Sequence, residues 1–380
     1  MLKMNRAGLR LGTVTVAALA IAGVAAATPS LADPGDPAAQ AQKNSELAKI
    51  KDPALRTCVS NALNGKPAST LTRLECPQGN MNSSIKDLTG ISVLKNVTEM
   101  TFNHAPGGSG TLVSDLRPLS GMTKLTYLSV ANSQVSDLRP LSGLTNLTDL
   151  ILFNNQISDI RPLSGLKKLT VLDLCTNKIS NLQPLAGLTN LTDLAVCGNH
   201  QISDLRPLSR LTNLTRLNLN DNKISNLQPL SRLTNLTYLN LDGNNISDIK
   251  PLAEMTKLNE LSLSENKITS IAPLAKIAAN EARPEVPLGL LLANVFNETA
   301  SGSPVTAGKA TPIVLKNTQG KAITDLTFSG PGTPTVNKTT GTVTYPVAGT
   351  YKVTWKVSFG TMCEFNGTLT QQVTKAQPRR

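Results

Sequence analysis

An α/β solenoid built on a parallel sheet, closed by a helical cap and followed by a small all-β sandwich, is the fold class that three features of this 380-residue sequence predict. Prolines at 118, 140, 162, 184, 207, 229, 251 and 273 recur at steps of 22 residues, with a single step of 23. Around each proline one text returns, as in Leu125-Thr-Tyr-Leu128-Ser-Val130-Ala-Asn-Ser133-Gln-Val135-Ser-Asp-Leu138-Arg-Pro140-Leu141. Beyond residue 298 that text gives way to strict alternation, as in Gly349-Thr-Tyr351-Lys-Val353-Thr-Trp355-Lys-Val357. A fixed period of this length means stacked supersecondary units.

The chain opens with Lys3, Arg6 and Arg10, an apolar run from about Leu11 to Ala27, and the small-residue site Ser30-Leu-Ala32. Residues 1–32 therefore read as a secretory signal peptide, and no second apolar segment follows to span a membrane. No cysteine lies near the cleavage site for lipidation, and no wall-sorting text precedes Arg380, so the expected product is secreted and not wall-sorted. Residues 33–84 read as a helical cap: Leu47, Ile50, Leu55, Val59 and Leu63 have helical spacing, with Asp52-Pro53 marking a helix start. Cys58 and Cys76 flank a short loop there and are expected to pair, stabilising the cap by around 3 kcal/mol.

Residues 85–298 carry the repeats and fit the leucine-rich-repeat template, a horseshoe with its parallel sheet on the concave face. In L-x-x-L-x-L the period-two leucines place one face inward, which makes a short strand. Ser133 and then Asn155, Asn177, Asn199, Asn222, Asn244 and Asn266 fall in the turn that follows, where a short amide can satisfy backbone groups without sheet partners. Proline then fixes φ and denies a sheet hydrogen bond, which drives the chain into a convex-side turn. Each leucine after the proline, from Leu119 to Leu274, points back to the core. Gly90 replaces the proline in a degenerate first repeat, and residues 104–110 read as an inserted surface loop. Leu288 to Asn297 is expected to supply a strand shared with the next domain. Residues 299–376 read as a small β-sandwich of alternating strands and Gly-Pro turns, with 377–380 as a tail.

Cleavage removes three cations and no acid, so the formal charge falls from +12 to about +9. Arg117, Arg139, Arg161, Arg206 and Lys250 form one outer column, with Asp115, Asp137, Asp159, Asp204 and Asp248 two residues earlier, so mutual pairing is expected. The alternative use of this column is a patch for anionic cell-wall polymer. Nucleic acid is excluded as a partner because the eleven aromatics do not interleave with the basic column. Cys175 and Cys197 hold the same slot on adjacent strands; they could be bridged, but in-register parallel vectors favour free, half-buried thiols, with Cys363 left over.

The residues between the strand leucines have no core or turn duty. Glu99, Asp149, Asp173, Asp193, Asp242 and Glu260 stand against Arg216 alone, so this face opposes the charge of the whole chain. Tyr127, Ile151, Phe153 and Val171 form an apolar centre within it. An apolar centre inside a charged rim is the build of a protein recognition patch. The candidate partner-binding residues are Tyr127, Asp149, Ile151, Phe153, Val171, Asp173, Asp193, Arg216, Tyr238 and Asp242.

The helical cap, the L-T-x-L-x-L-x-x-N-x-I-S-D-I-x-P-L repeats and the strands around Pro312 to Ile323 and Phe365 to Val373 together resemble the internalins. These are secreted or surface leucine-rich-repeat proteins of Gram-positive bacteria, and the resemblance implies an immunoglobulin-like sandwich joined to the last repeat. It also implies protein binding through the concave face, often to a host protein. The Cys58 and Cys76 cap, the His104 loop, the basic pI and the lack of a wall anchor depart from the pattern. No catalytic set is legible: His104 and His200 stand about four repeats apart, and neither cofactor nor metal spacing is present.

Overall fold

The computed structural model describes residues 45–76, 85–102, 113–278, 298–313, 315, 321–359 and 363–375. The signal peptide expected over 1–32, the expected His104 loop and the shared strand expected over 288–297 lie outside them.

The cap helix α1 (Pro53–Leu63) starts where the sequence places it. Asp52 caps it, accepting the Leu55 N–H at 3.0 Å, and Pro53 loses nothing at a position whose amide has no helical acceptor. The second oxygen of Asp52 accepts the amides of Lys86 and Asp87 at 2.8 and 3.2 Å. One carboxylate thus fixes both the helix start and the first coil. Leu55, Cys58, Val59 and Leu63 form the buried face, and Cys58 is bridged to Cys76. Gly90 combines a φ of +91° with a close approach, since a Cβ there would meet the Lys49 carbonyl oxygen at 2.1 Å.

Nine parallel strands follow: β1 (Arg73–Glu75), β2 (Glu99–Thr101), β3 (Tyr127–Ser129), β4 (Asp149–Ile151), β5 (Val171–Asp173), β6 (Asp193–Ala195), β7 (Arg216–Asn218), β8 (Tyr238–Asn240) and β9 (Glu260–Ser262). The sheet begins one strand earlier than the repeat text. β1 lies in the cap and pairs with β2 through Leu74 opposite Met100. Each Arg-Pro-Leu, Gln-Pro-Leu or Lys-Pro-Leu segment forms one 3-10 turn, so the crossovers from β3 to β9 hold no α-helix, and Leu119, Leu141, Leu163, Leu185, Leu208, Leu230 and Leu252 are fully buried. Such leucines gain about 1.5–3 kcal/mol each only because the adjacent coils cover them.

The asparagines form a ladder. Asn177 donates to the carbonyls of Leu152, Leu174 and Cys175 at 3.0–3.2 Å and accepts the Ile157 amide at 3.0 Å, joining two coils. Asn155, Asn199, Asn244 and Asn266 repeat the pattern. At Asn222 half of it is lost: the side chain still donates to the Val196, Leu219 and Asn220 carbonyls, but with the one-residue insertion at His200 in the preceding turn the buried Asn222 Oδ1 has no partner among the described residues. Before each ladder residue the chain takes a left-handed conformation, at Asn132, Asn154, Gly198, Asp221, Gly243, Glu265 and, against its β-branched character, Thr176 with φ 56°.

The C-terminal part is a two-sheet, immunoglobulin-like sandwich. One sheet has the order β10 (Glu298–Thr306), β16 (Cys363–Thr374), β15 (Gly349–Phe359), β12 (Leu326–Ser329). The other has the order β11 (Ala310–Pro312), β14 (Thr342–Thr344), β13 (Thr335–Asn337). Tyr351, Val353 and Trp355 alternate inward and are buried, with the Tyr345 ring 4.8 Å from Tyr351.

Candidate recognition face

Strict register turns the outward residues of β2 to β9 into columns. Tyr127, Asp149, Val171, Asp193, Arg216, Tyr238 and Glu260 run side by side, and Ser129, Ile151, Asp173, Ala195, Asn218, Asn240 and Ser262 run beside them. A third column continues past the strands, because Asn132 N–H donates to the Phe153 carbonyl and Asn154 N–H to that of Cys175, both at 2.9 Å. All ten candidate residues therefore lie on one face.

That face is less open than the sequence suggests. Ile151, Phe153, Tyr127 and Val171 are half-buried rather than free-standing, since strands only about 4.8 Å apart let each side chain lean on the next coil. Ser129, Ala131, Cys175 and Ser262 are buried outright.

The two halves of the face differ in charge balance. Toward the C-terminal end Arg216 pairs with Asp193 at 3.2 Å and lies over the Tyr238 ring at 4.4 Å. Asp242 accepts the Ser262 hydroxyl at 2.7 Å and the Ser264 amide at 2.6 Å, while burial still lifts its carboxyl to about 6. At the N-terminal edge Glu99 pairs with Arg73 at 3.3 Å. Between these, among the described residues, Asp149 accepts only the Thr148 hydroxyl and Asp173 only the Cys175 amide at 2.9 Å. No cation among the described residues reaches either. Burial, opposed by that amide and aided by Asp193, pushes the Asp173 carboxyl up to about 6.

Cys175 and Cys197 form a disulfide, contrary to the expectation of free thiols. The two Cα atoms lie 4.4 Å apart, within bridging range, because the cysteines stand at the strand ends, where the chain is already turning and the Cβ directions need not be parallel. The Cys197 N–H also points at Cys175 Sγ at 3.0 Å. The bridge staples the coils of β5 and β6 beside Asp173.

On the opposite side the expected pairing occurs at the four arginines, while at the fifth position, among the described residues, only the Lys250 amide donates to Asp248. Arg117, Arg139, Arg161 and Arg206 each hold their own aspartate at 2.8 Å, and each aspartate also accepts its arginine's amide. The guanidinium keeps each of these carboxyls below its ordinary range, Asp159 at about 2. Lys124, Lys168 and Lys257 bond instead to the Asn96, Asn146 and Asn235 side chains. Among the described residues no group of three His, Cys, Asp or Glu side chains could hold a metal ion, and no helix is long and apolar enough to cross a membrane.

The family model for leucine-rich repeats (2 copies) matches residues 145–187 and 234–276. The solved internalin C2 of Listeria monocytogenes is 34% identical; the match covers 58% of this chain and 96% of that one, with a TM-score of 0.53. An internalin F of the same organism is 24% identical over 68% of this chain and 85% of its own, with a TM-score of 0.44. A Leptospira interrogans leucine-rich-repeat protein is 18% identical over 65% of each chain, with a TM-score of 0.50. No curated protein sequence matches this chain.

Proposed function

This chain belongs to the internalin-like leucine-rich-repeat proteins, and from that premise we propose that it is a secreted bacterial module that binds a partner protein through its acidic concave face. A host protein is the first candidate partner. The observation that supports this reading is the half-buried apolar cluster of Tyr127, Ile151, Phe153 and Val171, which lies side by side on the sheet surface outside the leucine core. Solvent-facing clusters of this kind mark interaction sites. Eight strands at about 4.8 Å offer a span of roughly 34 Å, ample for an interface of about 800 Å² per partner.

The alternative, a cell-envelope protein holding anionic wall polymer on its outer face, gains less support. Four arginines of that column are neutralised by their own aspartates. No reaction is proposed, because the face gathers no nucleophile with a base.

Affinity capture from host-cell lysate with the mature chain, repeated with Phe153→Ala and Arg139→Ala, tests the reading. A captured protein lost with Phe153→Ala and kept with Arg139→Ala supports it; the reverse pattern refutes it. Fractionation of cultures adds the location: protein free in the supernatant agrees, and salt-releasable protein on washed cells favours the polymer.

A further inference from the structure

Resting on the concave-face reading, we infer that the partner presents a lysine or arginine to the middle of this face, its charged end between Asp149 and Asp173 and an apolar neighbour against Ile151, Val171 and Phe153. The register makes this arrangement specific. Asp149 faces Val171 across one strand gap and Ile151 faces Asp173 across the same gap, so two carboxylates and two aliphatic side chains occupy opposite diagonals of one square. Strand spacing and rise put the carboxylate diagonal at about 8 Å, so one ammonium or guanidinium between them lies roughly 4 Å from each.

Charge balance points the same way. Glu99 and Asp193 already have cations, and Asp242 has two hydrogen-bond donors. Asp149 and Asp173 have one donor each and no cation among the described residues. A partner seated on Phe153 and Val171 strips water from both carboxylates. Without a compensating cation the desolvation of two charges opposes binding, so an anionic or purely aliphatic partner is disfavoured. Arginine or lysine answers both halves of the square, since the stem is apolar and the end charged. The raised Asp173 carboxyl agrees, because the folded chain keeps an acid in a place that disfavours its charge.

Panning a random twelve-residue peptide library on the full secreted chain, followed by titration of the recovered synthetic peptides, tests this. The expected peptides carry Lys or Arg beside a large apolar residue. Asp149→Asn with Asp173→Asn should weaken them at least tenfold, and changing the peptide cation to Gln should do the same. On the double variant the Gln change should have little further effect. Melting curves confirm that the double variant is folded. Peptides weakened by Phe153→Ala but indifferent to the paired Asn changes would overturn the cation subsite while leaving the concave-face reading intact. Recovery of no peptide that tells the wild-type chain from Phe153→Ala would overturn both.

Discussion

Asp173→Asn should make the protein more stable at neutral pH. The Asn Oδ1 can keep the hydrogen bond from the Cys175 amide, so the substitution removes the charge and little else. Raising the carboxyl from its ordinary 3.8 to about 6 corresponds to roughly 3 kcal/mol against the ionised folded form, at about 1.4 kcal/mol per pH step. The side chain is only half-buried, and solvent screening reduces this to about 1–2 kcal/mol. Because the folded pKa lies above the unfolded one, the penalty is absent below about pH 4, grows as pH rises toward 6 and is complete above that. The variant should therefore melt about 2–8 °C higher than the wild type at pH 7.5, with the difference fading as pH falls to 4. Thermal unfolding followed by circular dichroism across that range is the assay. A variant of equal or lower stability at pH 7.5, or a difference independent of pH, would refute the burial argument.

Other outcomes follow from the same geometry. Phe153→Ala should weaken partner binding by about 2 kcal/mol or more in a titration while shifting the melting transition little. A large stability loss with unaltered affinity would assign the ring to the fold instead. Asn177→Ala removes bonds to three carbonyls and one amide in two coils and should cost about 3 kcal/mol in urea unfolding. Thr176→Asn places at a left-handed position the residue type that its counterparts Asn132 and Asn154 carry, and should stabilise by about 1 kcal/mol in the same measurement. Thiol labelling of denatured, unreduced protein with peptide mapping should leave Cys58, Cys76, Cys175 and Cys197 unlabelled; labelling at Cys175 would remove the staple from the face.

The repeats were legible because one periodicity encodes strand, turn and core at once. Leu128, Asn155, Pro140 and Leu141 each perform the duty their spacing implies. β1 escaped because Arg73-Leu-Glu75 offers one apolar residue and no period. The face was legible as a set of positions but not as an environment. Spacing places Asp173 and Phe153 outward, yet how far neighbours cover them depends on packing across coils. The Cys175–Cys197 bridge was misread for a related reason: strand register constrains the Cα separation, whereas the Cβ directions at a strand end depend on where the turn begins.

His200 breaks the regularity in a way that bears on how the molecule comes apart. In a solenoid each coil communicates only with its neighbours, so cohesion resembles a row of links whose strengths can differ. The coils of β5 and β6 share a covalent bridge and a complete asparagine rung. The next junction keeps its backbone bonds and the donation from Asn222 to the Val196 carbonyl, but its rung is half made, because no amide reaches Asn222 Oδ1 among the described residues. Among the coils joined by asparagine rungs, the strongest and the weakest links thus stand next to each other. Under partial denaturation or tension the row should part after β6, leaving a stapled N-terminal block that carries Tyr127 to Asp193 as a coherent surface while the coils beyond it fray.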